Sequence, residues 1–186
     1  MTTEMPSAGE LRRLIDRDAI RDLAVRYGLA VDSKDLEALA QLFDAEASFG
    51  RWGKGPEGVK VFYDNTIRAF RSSMHMVGNH IIDFDDDNNA HGIVYCRAHH
   101  HYAEPDYWGD LAFAYFDKYV RRDGKWGFTS RAVRSWYRQT FGHPEHGTER
   151  SVVAGDRNGP VQGTQLPEAF PTWHEFWARQ PAAKPS

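Results

Sequence analysis

The chain has 186 residues, enough for one domain of ordinary size with a long tail to spare. A hydrophobic share of 41% and an aromatic share of 13% support a packed core or an aromatic-lined cavity, while a net charge of −3 argues against nucleic acid, which needs a basic face. The single cysteine, Cys96, excludes an internal disulfide and a cysteine-based zinc site.

The opening residues lack the apolar run of a signal peptide, and no stretch approaches the roughly 20 apolar residues that cross a bilayer. A soluble, cytoplasmic protein with neither a nucleic-acid nor a membrane partner is expected. Ile20, Leu23, Ala24, Tyr27 and Val31 then form one stripe of an amphipathic helix, with Arg17, Asp18, Arg21 and Asp22 on the other side. The segment DSKD breaks it, and its Asp and Ser suit a turn and the N-cap of a second helix carrying Leu36, Leu39, Ala40 and Phe43. WGKGPEG reads as a loop, with Pro56 in the first turn of a third helix that buries Val59, Phe62, Tyr63 and Phe70.

From about residue 74 the period changes to two, and four strands follow. DDDNNAHG and RRDGKW connect them, and Asp123–Gly124 marks a type I′ hairpin because both central residues of that turn need positive φ. Three helices followed by a long antiparallel sheet make an α+β fold. Wrapped around the helices, such a sheet would leave a cone with a closed apolar end and an open mouth. The expected division is a barrel domain over 1–141 and an irregular C-terminal extension over 142–186, with a short helix near Trp173–Ala178. The extension would drape over the cavity mouth or a neighbouring subunit, and His143 and His146 within it would be surface residues.

Several residues could carry chemistry. Asp32 ends the first apolar stripe, where it could cap the next helix or partner a buried base. His75 lies between Met74 and Met76, so it faces away from both if this is a strand. Next to a carboxylate its tautomer would be fixed and its imidazolium stabilised. The run His99–His101 puts His99 and His101 on one face and His100 on the other. One of these serving the cavity of His75 is expected, rather than a metal site. Tyr27 could pack in the core or donate a hydrogen bond to a carbonyl or a leaving oxygen. Arg131 and Arg134, three apart on the last strand, point to opposite faces, so at most one enters the cavity. No phosphate-binding loop, dinucleotide fingerprint or serine-nucleophile elbow is found, which leaves acid–base chemistry or plain binding.

The stretch DRDAIRDLAVRYGLAVDSKDLEALAQLFD resembles the opening of SnoaL-like proteins of the nuclear transport factor two-like superfamily, and DKYVRRDGKWGF resembles their penultimate hairpin. The resemblance covers roughly residues 10–141 and implies a cone-shaped α+β barrel. RYGLAVDSKDL and SMHM are similar to bile acid 7α-dehydratases, which implies catalytic roles for Tyr27, Asp32 and His75, and for Arg134 if one gap is allowed. KGPEG and YVRRDGKW are similar to hexachlorocyclohexane dehydrochlorinases, which implies the same Asp32–His75 dyad but assigns the arginine to Arg131 without a gap. DSKD is similar to scytalone dehydratases, whose two histidines fall on His75 and His99. Their water-holding tyrosines fall on Val31 and Phe49, and their polar Ser and Asn on Phe113 and Tyr115, which argues against scytalone as substrate.

The resemblance thus implies a cofactor-independent lyase, a dehydratase of a hydrophobic, ring-containing hydroxy-carbonyl compound, with no metal. His75, Asp32, Tyr27, Arg134 and His99 would be catalytic; Tyr115, Phe49, Arg131 and Phe113 would bind substrate. A double-bond isomerase using the same dyad, or a non-catalytic small-molecule-binding module, are the alternatives. Related proteins form trimers or dimers, so a homo-oligomer is expected.

Overall fold

The computed structural model describes residues 5–141 and 166–185. Helix α1 spans Ala8–Asp32 and opens on a reciprocal cap, in which the Ser7 side chain accepts from the Glu10 amide and the Glu10 carboxylate accepts from the Ser7 amide. Its inward stripe is the one expected, since Ile20, Leu23, Ala24, Tyr27 and Val31 are all buried. Helix α2, Leu36–Gln41, is capped by Asp35, whose side chain accepts from the Ala38 amide. Asp32 is therefore not the cap. Helix α3, Gly55–Thr66, carries Pro56 in its first turn, and Phe70 lies just beyond it, after a 3-10 turn at Ile67–Ala69.

Strands β1 (Ser72–Phe84), β2 (Asn89–Ala103), β3 (Asp106–Arg122) and β4 (Lys125–Phe141) form one antiparallel sheet in the order β1-β2-β3-β4. Asp123 and Gly124 have φ of 49° and 79°, as the tight β3–β4 hairpin requires. Helix α1 touches both edge strands, β1 and β4, so the open sheet curls around it. At the narrow end the chain leaving α2 lies beside β4, where Phe128 donates to the Leu42 carbonyl and accepts from the Asp44 amide. The core there is aromatic. Tyr27, Phe43, Tyr63, Tyr115 and Phe128 pack edge-on or tilted, with ring centroids 5.2–6.2 Å apart in the pairs Tyr27–Tyr115, Phe43–Phe128 and Tyr27–Phe128.

Helix α4, Pro171–Ala178, buries Trp173 and Phe176 against the helical side of the domain. It occupies the place where a short helix was expected. Residues 142–165 of the expected irregular extension, His143 and His146 among them, lie outside the described residues. No described helix is long and apolar enough to cross a membrane.

Lys34 is the unexpected core residue. It sits at φ 58° in the α1–α2 turn, and its side chain is buried. Its Nζ donates to the carbonyls of Ile67 and Phe70 at 3.1 and 3.2 Å and lies 3.9 Å from the Phe70 ring centroid. Burial lowers its pKa to about 7, against the opposing pull of Asp32. An unfolded chain holds this proton up to a pH of about 10.4. Between about 7 and about 10.4 the unfolded state therefore binds more protons, and the stability contributed at this position rises with pH. Melting temperatures of wild type and Lys34→Met, compared at pH 6 and pH 9, should shift in favour of wild type at the higher pH. Parallel pH curves for the two would refute this.

Candidate active site

The site begins where α1 crosses β1. Gly28 and Asp32 are one helical turn apart and share a face. A side chain at Gly28 would place its Cβ only 3.3 Å from the Cβ of His75, so glycine permits the close approach. One turn later the Asp32 carboxylate meets the start of β1 and takes three hydrogen bonds. Oδ1 accepts from Ser73 Oγ at 2.6 Å and pairs with His75 Nδ1 at 2.7 Å, and Oδ2 accepts from the His75 amide at 2.8 Å. A carboxylate held this way fixes Nδ1 as the protonated ring nitrogen and leaves Nε2 with its lone pair. The His75 side chain is only 5% exposed and that of Asp32 16%. Among the described residues Nε2 has no hydrogen-bond partner.

A string of rings leads inward from His75. Phe113 is 6.3 Å away, Tyr115 lies 5.1 Å beyond Phe113, and Tyr27 lies 5.5 Å beyond Tyr115. Tyr63 Oη donates to Tyr27 Oη at 3.2 Å, which leaves the Tyr27 hydroxyl proton free to donate elsewhere. Burial raises the pKa of Tyr27 and raises those of Tyr63 and Tyr115 well above the ordinary value. All three stay protonated at neutral pH. Phe49 is more remote from the dyad, packed at 5.2–6.1 Å against Phe43, Phe62 and Tyr63.

Arg131 lies within this aromatic group. Its guanidinium carbon is 4.0 Å from the Tyr115 ring centroid and 4.3 Å from that of Tyr27. Asp117, its cross-strand partner, accepts from Nε at 2.9 Å and Nη2 at 2.6 Å. Both side chains are fully buried, and Nη1 has no partner. Burial works against the charge on Arg131, but the Asp117 carboxylate outweighs it and raises the arginine pKa further. Behind the pair, Tyr119 Oη donates to Asp117 at 2.9 Å and lies 3.0 Å from His80 Nε2.

Two expected positions are corrected. Arg134 is exposed on the other face of β4, its guanidinium 4.5 Å from the Phe116 ring centroid. The reason is a bulge. Tyr119 pairs with Phe128 and Asp117 with Arg131, so β4 carries one extra residue between the two pairs. Continued alternation from buried Trp126 and Phe128 would send Arg134 inward; the extra residue sends Arg131 instead.

His99 is the second. It pairs with the exposed Met74 on the outer face, 3.5 Å from Asp110 and with its ring 5.4 Å from Phe141. His100 faces the interior instead, opposite Ser73, with its ring 5.3 Å from that of His75. Phe70 stacks on it at 4.1 Å, Tyr102 Oη lies 3.3 Å from Nδ1, and the buried Nε2 has no partner. Burial lowers its pKa to about 3, so it is neutral at physiological pH. The small apolar residues Val94, Cys96 and Ala98 were the available signal, since they alternate inward in phase with His100. Ser73, Tyr63 and Asp117 were also missed. Tyr63 was legible as a buried position, but its hydroxyl partner was not. Among the described residues, no three His, Cys, Asp or Glu side chains gather as a metal ion would require.

Comparison with known proteins yields concordant similarities. Residues 12–132 match the model of the SnoaL-like domain. The gamma-hexachlorocyclohexane dehydrochlorinase of Sphingobium indicum is 32% identical over 127 residues, which is 66% of this chain and 81% of that protein. A crystal structure of a type 2 hexachlorocyclohexane dehydrochlorinase, LinA, superposes with a TM-score of 0.65 at 26% identity, covering 72% of this chain and 93% of that one. A provisionally assigned scytalone dehydratase of Novosphingobium aromaticivorans gives a TM-score of 0.62 at 27% identity, covering 72% and 92%.

Proposed function

The chain belongs to the SnoaL-like domain family, and from that premise we propose that it is a cofactor-independent lyase that removes water from a hydrophobic, ring-containing hydroxy-carbonyl compound. The observation that carries this reading is the Asp32 carboxylate held by Ser73 and by both the amide and Nδ1 of His75. It makes Nε2 a base aimed away from Asp32, beside an aromatic interior suited to an apolar ring. Lyase activity in a relative 32% identical supports the same class of chemistry here.

In the proposed reaction His75 Nε2 takes the proton α to the substrate carbonyl. Asp32 stabilises the imidazolium that results. The electron pair of the broken C–H bond enters the enolate, whose oxygen is stabilised by the Tyr27 hydroxyl and by the buried Arg131 cation. Collapse of the enolate forms the carbon–carbon double bond and expels the β-hydroxyl, which leaves as water with the proton returned by His75. Neutral His100 is too weak an acid to supply that proton, but its unpartnered Nε2 can hydrogen-bond the departing oxygen. That feature favours a hydroxyl leaving group over a halide. Phe113 and Tyr115 would pack the ring between His75 and Tyr27, with Phe49 closing the far side.

Incubation with hydroxylated ring ketones, read by product mass, tests the reading. Loss of one water is expected. Conversion at unchanged mass would replace it with double-bond isomerisation, and binding without turnover would replace it with a non-catalytic module.

The outer face of the sheet exposes Met74, Met76, Ile81, Tyr95, Trp136 and Tyr137. Met76, Tyr95 and Trp136 line a shallow cleft of about 370 Å³ there. Such a patch supports self-association through the sheet, which a solution mass above 21.3 kDa would reveal.

A further inference from the structure

Helix α4 lies beyond the segment that matches the family model, yet its first turn reaches both pieces of chain that build the Asp32–His75 pair. Thr172 Oγ1 donates to the Ser33 carbonyl at 2.7 Å, one residue after Asp32. The next residue, Trp173, donates from Nε1 to the Arg71 carbonyl at 3.1 Å, two residues before Ser73 and four before His75. Arg71 in turn donates its amide to the His101 carbonyl at 2.7 Å, at the start of the β1–β2 ladder. Two consecutive side chains thus tie the end of α1 to the beginning of β1, across the junction where the carboxylate meets the imidazole.

The far end of α4 is anchored independently. Arg68 donates to the carbonyls of Phe176 and Arg179, and Asp64 accepts from the Arg179 guanidinium at 2.7 Å and the Ala182 amide at 2.6 Å. Phe176 is buried between them, 4.2 Å from the Arg68 guanidinium carbon and 5.9 Å from Lys34 Nζ. With that end fixed on α3, the first turn has little freedom. It can hold the Ser33 and Arg71 carbonyls at a set separation.

We propose that α4 is a clasp for the reacting pair, with Thr172 and Trp173 as positioning residues that hold Asp32 in register with Ser73 and His75. The inference rests on the reading of Asp32–His75 as the catalytic dyad, but its first readout needs no substrate. A His75 Nδ1 proton shared with a well-placed carboxylate gives a resolved downfield proton resonance. In the full-length chain carrying Thr172→Val and Trp173→Phe, with the fold checked by circular dichroism, that resonance should broaden into exchange with water. Thr172→Ser, which keeps the hydroxyl, should retain it. In the turnover assay the double variant should lose roughly tenfold in kcat with KM nearly unchanged, because geometry rather than binding is impaired.

If the double variant does not fold, Thr172→Val alone, which conserves shape, decides by the same resonance. An unaltered resonance in a folded variant overturns the clasp and makes α4 a packing element only. Turnover that survives His75→Ala would instead remove the catalytic reading, while the resonance would still report on the clasp.

Discussion

His75→Ala should lower kcat by about 10²–10⁴-fold, the range expected for a positioned general base. The fold should survive, because His75 lies at the rim of the core and, among the described residues, its ring neighbours just two other rings, His100 and Phe113. Asp32→Asn should cost nearly as much by a different route. Asparagine keeps one acceptor oxygen where Asp32 has two; with that oxygen on the His75 amide, its NH2 faces Ser73 Oγ and His75 Nδ1, reverses the hydrogen bond to Nδ1 and presents no charge to the imidazolium. The wrong tautomer would then put a proton on Nε2. Combining the two substitutions should cost little more than either alone, since residues acting as a unit are not additive. The measurement is single-turnover product formation by folded variants. Undiminished turnover in either single variant would reduce the Asp32–His75 contact to a structural hydrogen bond.

The second large effect is on stability. Arg131→Met removes a cation whose side chain is only 2% exposed and leaves Asp117, fully buried, without its bidentate partner. Breaking a buried pair in this way costs roughly 3–5 kcal/mol. For a domain of this size that corresponds to a fall of about 6–20 °C in melting temperature. Replacing both partners, Arg131→Met with Asp117→Leu, should recover much of the loss, although the Tyr119 hydroxyl then loses its acceptor. Activity should not return with stability, because the enolate would still lack its fixed cation. Arg134→Met, in contrast, should change stability by no more than about 0.5 kcal/mol, as exposed substitutions usually do. Equal destabilisation by the Arg131 and Arg134 variants would contradict the inward assignment of Arg131. A double variant that is both stable and fully active would remove Arg131 from the mechanism.

Much of the architecture is legible in one sequence because it follows from short-range rules. The i, i+3, i+4 spacing of Ile20, Leu23, Ala24, Tyr27 and Val31 identifies α1 and its buried face. Pro56 marks the first turn of α3, and Asp123–Gly124 identifies the β3–β4 hairpin through its demand for positive φ. The resemblance to SnoaL-like proteins singled out Asp32 and His75, which the fold brings to 2.7 Å. Asp35, the last residue of the DSKD break and three after Asp32, takes the capping role that Asp32 could have had. Two acidic residues in one turn compete for that role, and composition alone does not choose between them.

The remaining decisions belong to pairing between distant segments. A shift of one residue reverses every side chain of a strand, and the extra residue of β4 after Phe128 does this to Arg131 and Arg134. The face of His99 and His100 is set by the pairing of β2 with β1, where Ser73 meets His100 and Met74 meets His99. Burial of Lys34 depends on Phe70 and on the carbonyls of a turn more than 30 residues away. The docking of Thr172 and Trp173 depends on Ser33 and Arg71, more than 100 residues distant. The sequence by itself determined the helices, the strands, their tightest turn and the residue types available for acid–base chemistry, because periodicity and turn geometry act over a few residues. The tertiary structure alone decided which arginine and which histidine face the interior, and what holds the dyad in place, because bulges, register and docking are set by contacts between segments far apart in the chain.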